Sequence, residues 1–173
     1  MAKVAGTVSP AELAHAARHI RILSDAASSR GAETVLEITA GRGAGLPRHL
    51  HTVEDELVWV IAGSLRVTVD DEPPYELGPG DELLLPRGVP HEVRVASEVA
   101  SWMVVCRPGG IEWFLHATAS DDGTPPDWAD DDVAAHLTAA GIRVLGAPTP
   151  ERSVAPAAAL EPPAEPGAQA AAA

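Results

Sequence analysis

The sequence predicts an all-β protein, an antiparallel sandwich or barrel with short helices at its flanks. Two observations predict it. Short segments rich in Val, Ile, Leu and Thr recur from Ile20 to Cys106, several of them alternating apolar and polar side chains. Between them stand turn residues, at Gly41 to Gly45, Ala62-Gly63, Asp70 to Pro74, Leu77 to Asp81 and Pro86 to Pro90. That rhythm is the mark of an antiparallel fold.

Composition bounds the rest. A chain of 173 residues allows one domain with a real hydrophobic core. Lys and Arg number 12 against 25 Asp and Glu, a formal charge of -13 that no basic stripe interrupts. Nucleic acid and anionic membrane surfaces are unsuited partners for such a field. The one cysteine, Cys106, cannot form an internal disulfide. No apolar run reaches bilayer length, and the start Met1 to Thr7 lacks a signal-peptide core, so a soluble, cytoplasmic protein is expected.

Taken in order, Ser9 can cap a helix with Pro10 at its first position and Glu12 three residues on, which predicts an N-terminal helical segment over 1–19. His15 and His19 would lie one turn apart on it, as partly exposed residues. Ile20 to Leu23 reads as a short strand, Ser24 to Gly31 as a polar loop, and Glu33 to Thr39 as an alternating strand. The glycines at 41, 43 and 45 would let the chain bend before the next strand. Glu56 to Ile61 and Ser64 to Val69 flank the Ala62-Gly63 turn, and Glu82 to Leu85, His91 to Val95 and Ala100 to Cys106 follow, the last placing Cys106 as a buried thiol. Ile111 to Leu115 reads as a helix. A second helix starts from a cap at Asp130, Asp131 or Asp132, runs through Ala140 and stops at Gly141. Ile142 to Leu145 adds an edge strand. From 147 to 173 the chain is largely Ala, Pro and Glu, with little to bury, and reads as a disordered tail.

The chemistry concentrates around His49 and His51. One residue apart on a strand, they project from the same face and can reach one metal ion together. Three acids, Glu54, Asp55 and Glu56, follow closely. Neutral imidazoles with a carboxylate form a ligand mix that holds Zn, Fe, Mn, Co or Ni.

This stretch resembles the first motif of the cupin superfamily, in which a glycine, His-x-His, a glutamate and a glycine stand at set spacings. Here they are Gly43, His49, His51, Glu56 and Gly63, and of the three acids only Glu56 has six residues between it and a glycine. The second cupin motif is met by Gly80, Pro86, Gly88 and His91, with Val95 where the family usually has Asn. The resemblance implies a single cupin barrel of the jelly-roll kind over 20–110 and a C-terminal helical extension over 111–146. It also implies a metal site of His49, His51, Glu56 and His91 for one divalent transition metal, Fe, Ni, Co or Mn, with Zn also accepted. Many single-domain relatives pair as homodimers.

Alternation along the metal strands sets the expected pocket: Val58 and Val60 with Glu56, Val93 and Val95 with His91, and Trp102 with Val104, or else Met103 with Val105. The resulting cup is apolar except at the metal. It suits a planar small molecule bound through an enol or carbonyl oxygen, and looks most like the quercetinase-type dioxygenases, with dioxygen as second substrate. There Glu56 would be both ligand and catalytic base, its pKa raised by apolar walls. A metal-dependent polyketide cyclase or isomerase, and a non-catalytic small-molecule cup, are the alternatives.

Overall fold

The computed structural model describes residues 11–15, 18–120, 124, 126–127 and 130–146. The tail from Ala147 and the Ser9-Pro10 cap lie outside them. Among the described residues, eleven strands form two antiparallel sheets. One sheet has six strands in the order β1 (Ala11–His15), β2 (Arg18–Ser24), β3 (Thr34–Gly41), β10 (Val99–Arg107), β5 (Asp55–Ala62) and β8 (Glu82–Leu85). The other has five, in the order β11 (Ile142–Val144), β4 (His49–His51), β9 (His91–Val95), β6 (Leu65–Val69) and β7 (Tyr75–Leu77). No strand pair joins the two sheets among the described residues, so the fold is a two-sheet antiparallel sandwich, and the closure expected of a single barrel is not among these pairings.

Period-two alternation builds the core. Ile20 and Ile22 on β2, Leu36, Ile38 and Ala40 on β3, Val58 and Val60 on β5, and Ala100, Trp102, Val104 and Cys106 on β10 are all buried. From the other sheet Leu65, Val67 and Val95 meet them. The opposite face of the six-stranded sheet is less protected, with Trp59, Ile61, Leu84 and Val99 exposed.

Two glycines carry packing that a side chain would prevent. Gly63 turns β5 into β6 at φ +74°, and a Cβ there would stand 2.3 Å from the Val99 carbonyl oxygen. Gly45 presses on β9, where a Cβ would meet the Val93 carbonyl oxygen at 2.2 Å. Its neighbours fasten the loop: the Gly43 N–H donates to Val95 O at 2.9 Å and the Val95 N–H to Ala44 O at 3.0 Å. The chain is thereby laid along β9, and β4 follows in register with His49 opposite His91.

Three helices, among the described residues, pack around the sheets. α1 (Ala26–Ser29) is capped by Asp25, whose side chain accepts from the Ser28 N–H at 2.6 Å. α2 (Glu112–Thr118) buries Phe114 and Leu115, and α3 (Asp131–Ala139) starts at Asp130, which accepts from the Asp132 and Val133 N–H groups.

Two expectations fail locally. The helix predicted over 1–19 is replaced, across 11–15, by β1, which pairs with β2 so that Leu13 faces Ile20. A helix cap contributes about 1 kcal/mol, whereas the open edge of β2 offers a ladder of backbone partners. The loop expected over 24–31 contains α1, because Asp25 and Ser28 cap each other reciprocally. With β1 and β11 included, the sheets extend past 20–110 on both sides. No helix among the described residues is long and apolar enough to cross a membrane.

Candidate metal centre

His49 and His51 point inward from β4 because an extended strand places alternate side chains on one face. His91 opens β9 directly opposite His49. Glu56 enters from the other sheet, near the start of β5 and in register with Cys106. The four residues are thus drawn from both sheets, and one ligand atom from each lies within 4.8 Å of all the others. Opposed ligands of an ion bound at about 2.1 Å stand about 4.2 Å apart. The set is close to that span.

Hydrogen bonding on the far side of each ring fixes which nitrogen faces in. His49 Nδ1 donates to the Pro47 carbonyl at 2.8 Å and His91 Nδ1 to the Val89 carbonyl at 3.0 Å. His51 Nδ1 lies 3.3 Å from Glu54 Oε2. A carbonyl can only accept, so the neutral ring must carry its proton on Nδ1 and leave a lone pair on Nε2. All three Nε2 atoms are buried without a hydrogen-bond partner. His51 and His91 Nε2 stand 3.2 and 3.5 Å from Glu56 Oε2. Three imidazole nitrogens converging beside a carboxylate in a buried site fit a divalent transition metal in charge and donor type.

Electrostatics in the metal-free protein are divided among the rings. Burial pushes the His49 pKa down to about 3, with His91 and His51 adding to the fall. Burial also works against a proton on His51, yet its contacts with Glu54 and Glu56 prevail and raise it to about 9. Glu56 is pushed up by burial but held well below the ordinary carboxylate range by His51 and His91. This reverses the expected direction: the histidines outweigh the apolar walls. Burial raises the Cys106 thiol well above its usual value, which suits an inert core thiol.

A cavity of about 60 Å³ lies against this group. Val93, Trp102 and Val104 line it, whereas Val58, Val60 and Val95 are packed into the core beyond it. Val95, at the position of the family's Asn, is 2% exposed and fills space between the sheets. The cavity is not apolar outside the ligand set. Arg18, buried at the start of β2, lines it with Ile20, Leu36 and Ile38, and burial lowers its pKa to about 10 against the opposing charge of Glu56.

Two residues escaped the sequence reading. Arg18 gave no signal, since its place in the predicted helix concealed an inward strand position. Glu54, 3% exposed, was passed over because the motif spacing selects Glu56. An acid three residues after a ligand histidine, followed by the ligand acid, is a usable hint of such an outer partner. Glu54→Gln is expected to weaken metal affinity about 10- to 100-fold with the fold intact, read by competition with a chromogenic chelator. Unchanged affinity would remove Glu54 from the site.

A two-sheet β sandwich with three histidines and a glutamate converging between the sheets defines a class of metal-binding cups. Residues 36–106 match the Cupin_2 family model, the cupin domain. The chain belongs to the cupin superfamily. It is 26% identical over 102 residues to quercetin 2,3-dioxygenase of Bacillus subtilis (strain 168), covering 58% of this chain and 30% of that protein. Dimethylsulfoniopropionate lyase DddQ of Ruegeria pomeroyi is 42% identical over 71 residues, 40% of this chain and 34% of its own length. Among solved structures, oxalate decarboxylase of Bacillus subtilis superposes with a TM-score of 0.51 at 25% identity, over 61% of this chain and 31% of that one. The chain therefore spans about a third of the length of these relatives.

Proposed function

We propose that this chain is a metal-dependent enzyme acting on a small enolisable molecule at a centre formed by His49, His51, Glu56 and His91, with dioxygen as second substrate. The convergence of three buried Nε2 atoms on Glu56 carries the reading. A divalent Fe, Ni, Co or Mn ion held there supplies Lewis acidity to an enol or carbonyl oxygen and a route for electrons; Zn would supply the first alone.

The protein residues divide the remaining work. Pro47, Glu54 and Val89 hold the rings in the ligating orientation. Ile20, Leu36, Ile38, Val93, Trp102 and Val104 keep water from the reacting carbon. Glu56, the one carboxylate of the group, would act as the base toward a substrate hydroxyl. It would take its proton from a hydroxyl that the ion makes more acidic. A cavity of about 60 Å³ is small against the roughly 300–1,000 Å³ of pockets for drug-sized ligands. That narrows the substrate from flavonol-sized ring systems to short enols and diketones.

The similarity to a lyase over 71 residues favours a second reading, a non-oxidative reaction that uses the same enolate stabilisation. Oxygen-electrode assays of Fe- and Ni-loaded protein with short 1,3-diketones separate them. Uptake that Glu56→Gln lowers at least ~100-fold supports the oxygenase. Product without uptake supports the second reading, and neither would leave a binding cup.

A homodimer in the cytoplasm completes the proposal. The exposed Trp59, Ile61 and Leu84 on the outer face of the six-stranded sheet supply an apolar surface for a second copy. Light scattering should give twice the chain mass for the wild type and the single mass for a Trp59→Glu, Leu84→Glu variant. A monomeric wild type would refute it.

A further inference from the structure

We propose that Arg18 is the anchor for a carboxylate on the substrate, so that the site takes a short anion whose other end carries the chelating enol or carbonyl oxygens. The inference rests on the metal-enzyme reading above and names its substrate class.

Placement is the first argument. Arg18 is 7% exposed and shares the inner face of β2 with Ile20 and Ile22. Its register partner on β3 is Ala40, which in turn faces Ala100 on β10. Both alanines are buried. Two small side chains in one cross-strand row leave the volume that a guanidinium needs. The strand register sets Arg18 toward one end of the cavity, level with Ala40, and Glu56 toward the other, level with Cys106 and Thr34. Both line the same space.

Charge is the second. Taking a guanidinium out of water costs several kcal/mol unless an opposite charge or hydrogen bonds compensate. In the metal-free protein the Glu56 carboxylate acts on Arg18. A divalent ion at the centre would claim that carboxylate and add two positive charges to a cavity that Arg18 already lines. An anionic ligand restores the balance. Among the described residues lining the cavity, Arg18 is the one permanent cation. A guanidinium has five N–H donors in a planar fork, so it can hold a protein partner and a carboxylate at once, the latter bidentately.

The test uses two probes that differ in one group, 2,4-dioxopentanoate and pentane-2,4-dione. Each offers the same enolisable diketone; one ends in a carboxylate where the other has a methyl. Dissociation constants are measured by calorimetry, and by the visible spectrum of cobalt-loaded protein, for the wild type and Arg18→Gln. The wild type should prefer the carboxylate by at least ~10-fold. In Arg18→Gln that ratio should fall to about one, with metal content and pentane-2,4-dione binding unchanged. A ratio near one in the wild type overturns the proposal whether or not the variant folds, and so does a preference that survives in Arg18→Gln. If Arg18→Gln loses its metal, Arg18→Lys replaces it: a reduced ratio supports the planar anchor and an unchanged ratio overturns it. A wild type that retains no metal sinks the metal-enzyme reading instead. The anchor is then decided in metal-free protein, where 2,4-dioxopentanoate must bind more tightly to the wild type than to Arg18→Gln.

Discussion

Replacing His91 with alanine is expected to strip the metal from the protein and to abolish its stabilisation by added metal. His91 faces His49 across the β4–β9 ladder, and its Nε2 completes the group that joins both sheets. Without it two imidazoles and Glu56 remain. Loss of an outer partner alone costs 10- to 100-fold in affinity, so loss of a ligand should cost at least about 100-fold. The consequence for stability follows from mass action. Metal at 100 times its dissociation constant adds about 2.7 kcal/mol to the folded state. For a chain of this size that is a rise in Tm of roughly 5–10 °C. The wild type should show this rise, whereas His91→Ala and the His51→Ala, His91→Ala pair should show little or none. Elemental analysis after dialysis gives the same answer independently: near one metal per wild-type chain and almost none in the variants. Equal metal content in all three would mean that the ion sits elsewhere.

The strands were legible because each is a local pattern. Thr34–Gly41 alternates buried and half-buried residues as its β-branched sequence requires, and the acid cap at Asp130 is written in the chain. Half of the candidate ligand set was legible for the same reason, since a period of two places His49 and His51 on one face, while Glu56 and His91 were picked out by the resemblance to the cupin motifs. What the sequence hid depends on partners distant along the chain. Ser9, Pro10 and Glu12 spell a helix start, but the hydrogen bonds that decide the matter belong to β2, and pairing with it turns 11–15 into a strand. Arg18 became a wall of the cavity only through that pairing and the alanines opposite. Val58 and Val60 alternate with Glu56 as predicted, yet the same alternation serves core and pocket alike, and only the distance between the sheets tells them apart. The Glu56 pKa was misjudged in the same way: apolar walls are visible in a sequence, while two imidazoles approaching from the opposite sheet are not.

Those imidazoles set a pH dependence whose sign can be worked out. His51 is raised from 6.5 to about 9 in the folded metal-free protein. Its contribution is complete below 6.5 and is lost as the pH climbs through 9, on the order of 3 kcal/mol. His49 is lowered from 6.5 to about 3, so folding opposes its protonation and stability falls as the pH drops from 6.5 toward 3. Glu56, depressed below 4.5, adds to the acid loss once the pH falls through its own folded value. Metal-free protein should therefore be most stable near pH 6.5. Metal opposes the alkaline loss, because the ion replaces the proton on His51. Each pH unit gained below 9 should tighten binding up to about tenfold through this one proton. The Tm difference between metal-loaded and chelator-treated protein should accordingly widen from pH 6.5 to 9, and metal should dissociate on acidification. Calorimetric scans of both forms across pH 5 to 9.5 measure it. A difference that stays flat or narrows would mean that His51 does not exchange a proton for the ion, and would remove it from the ligand set.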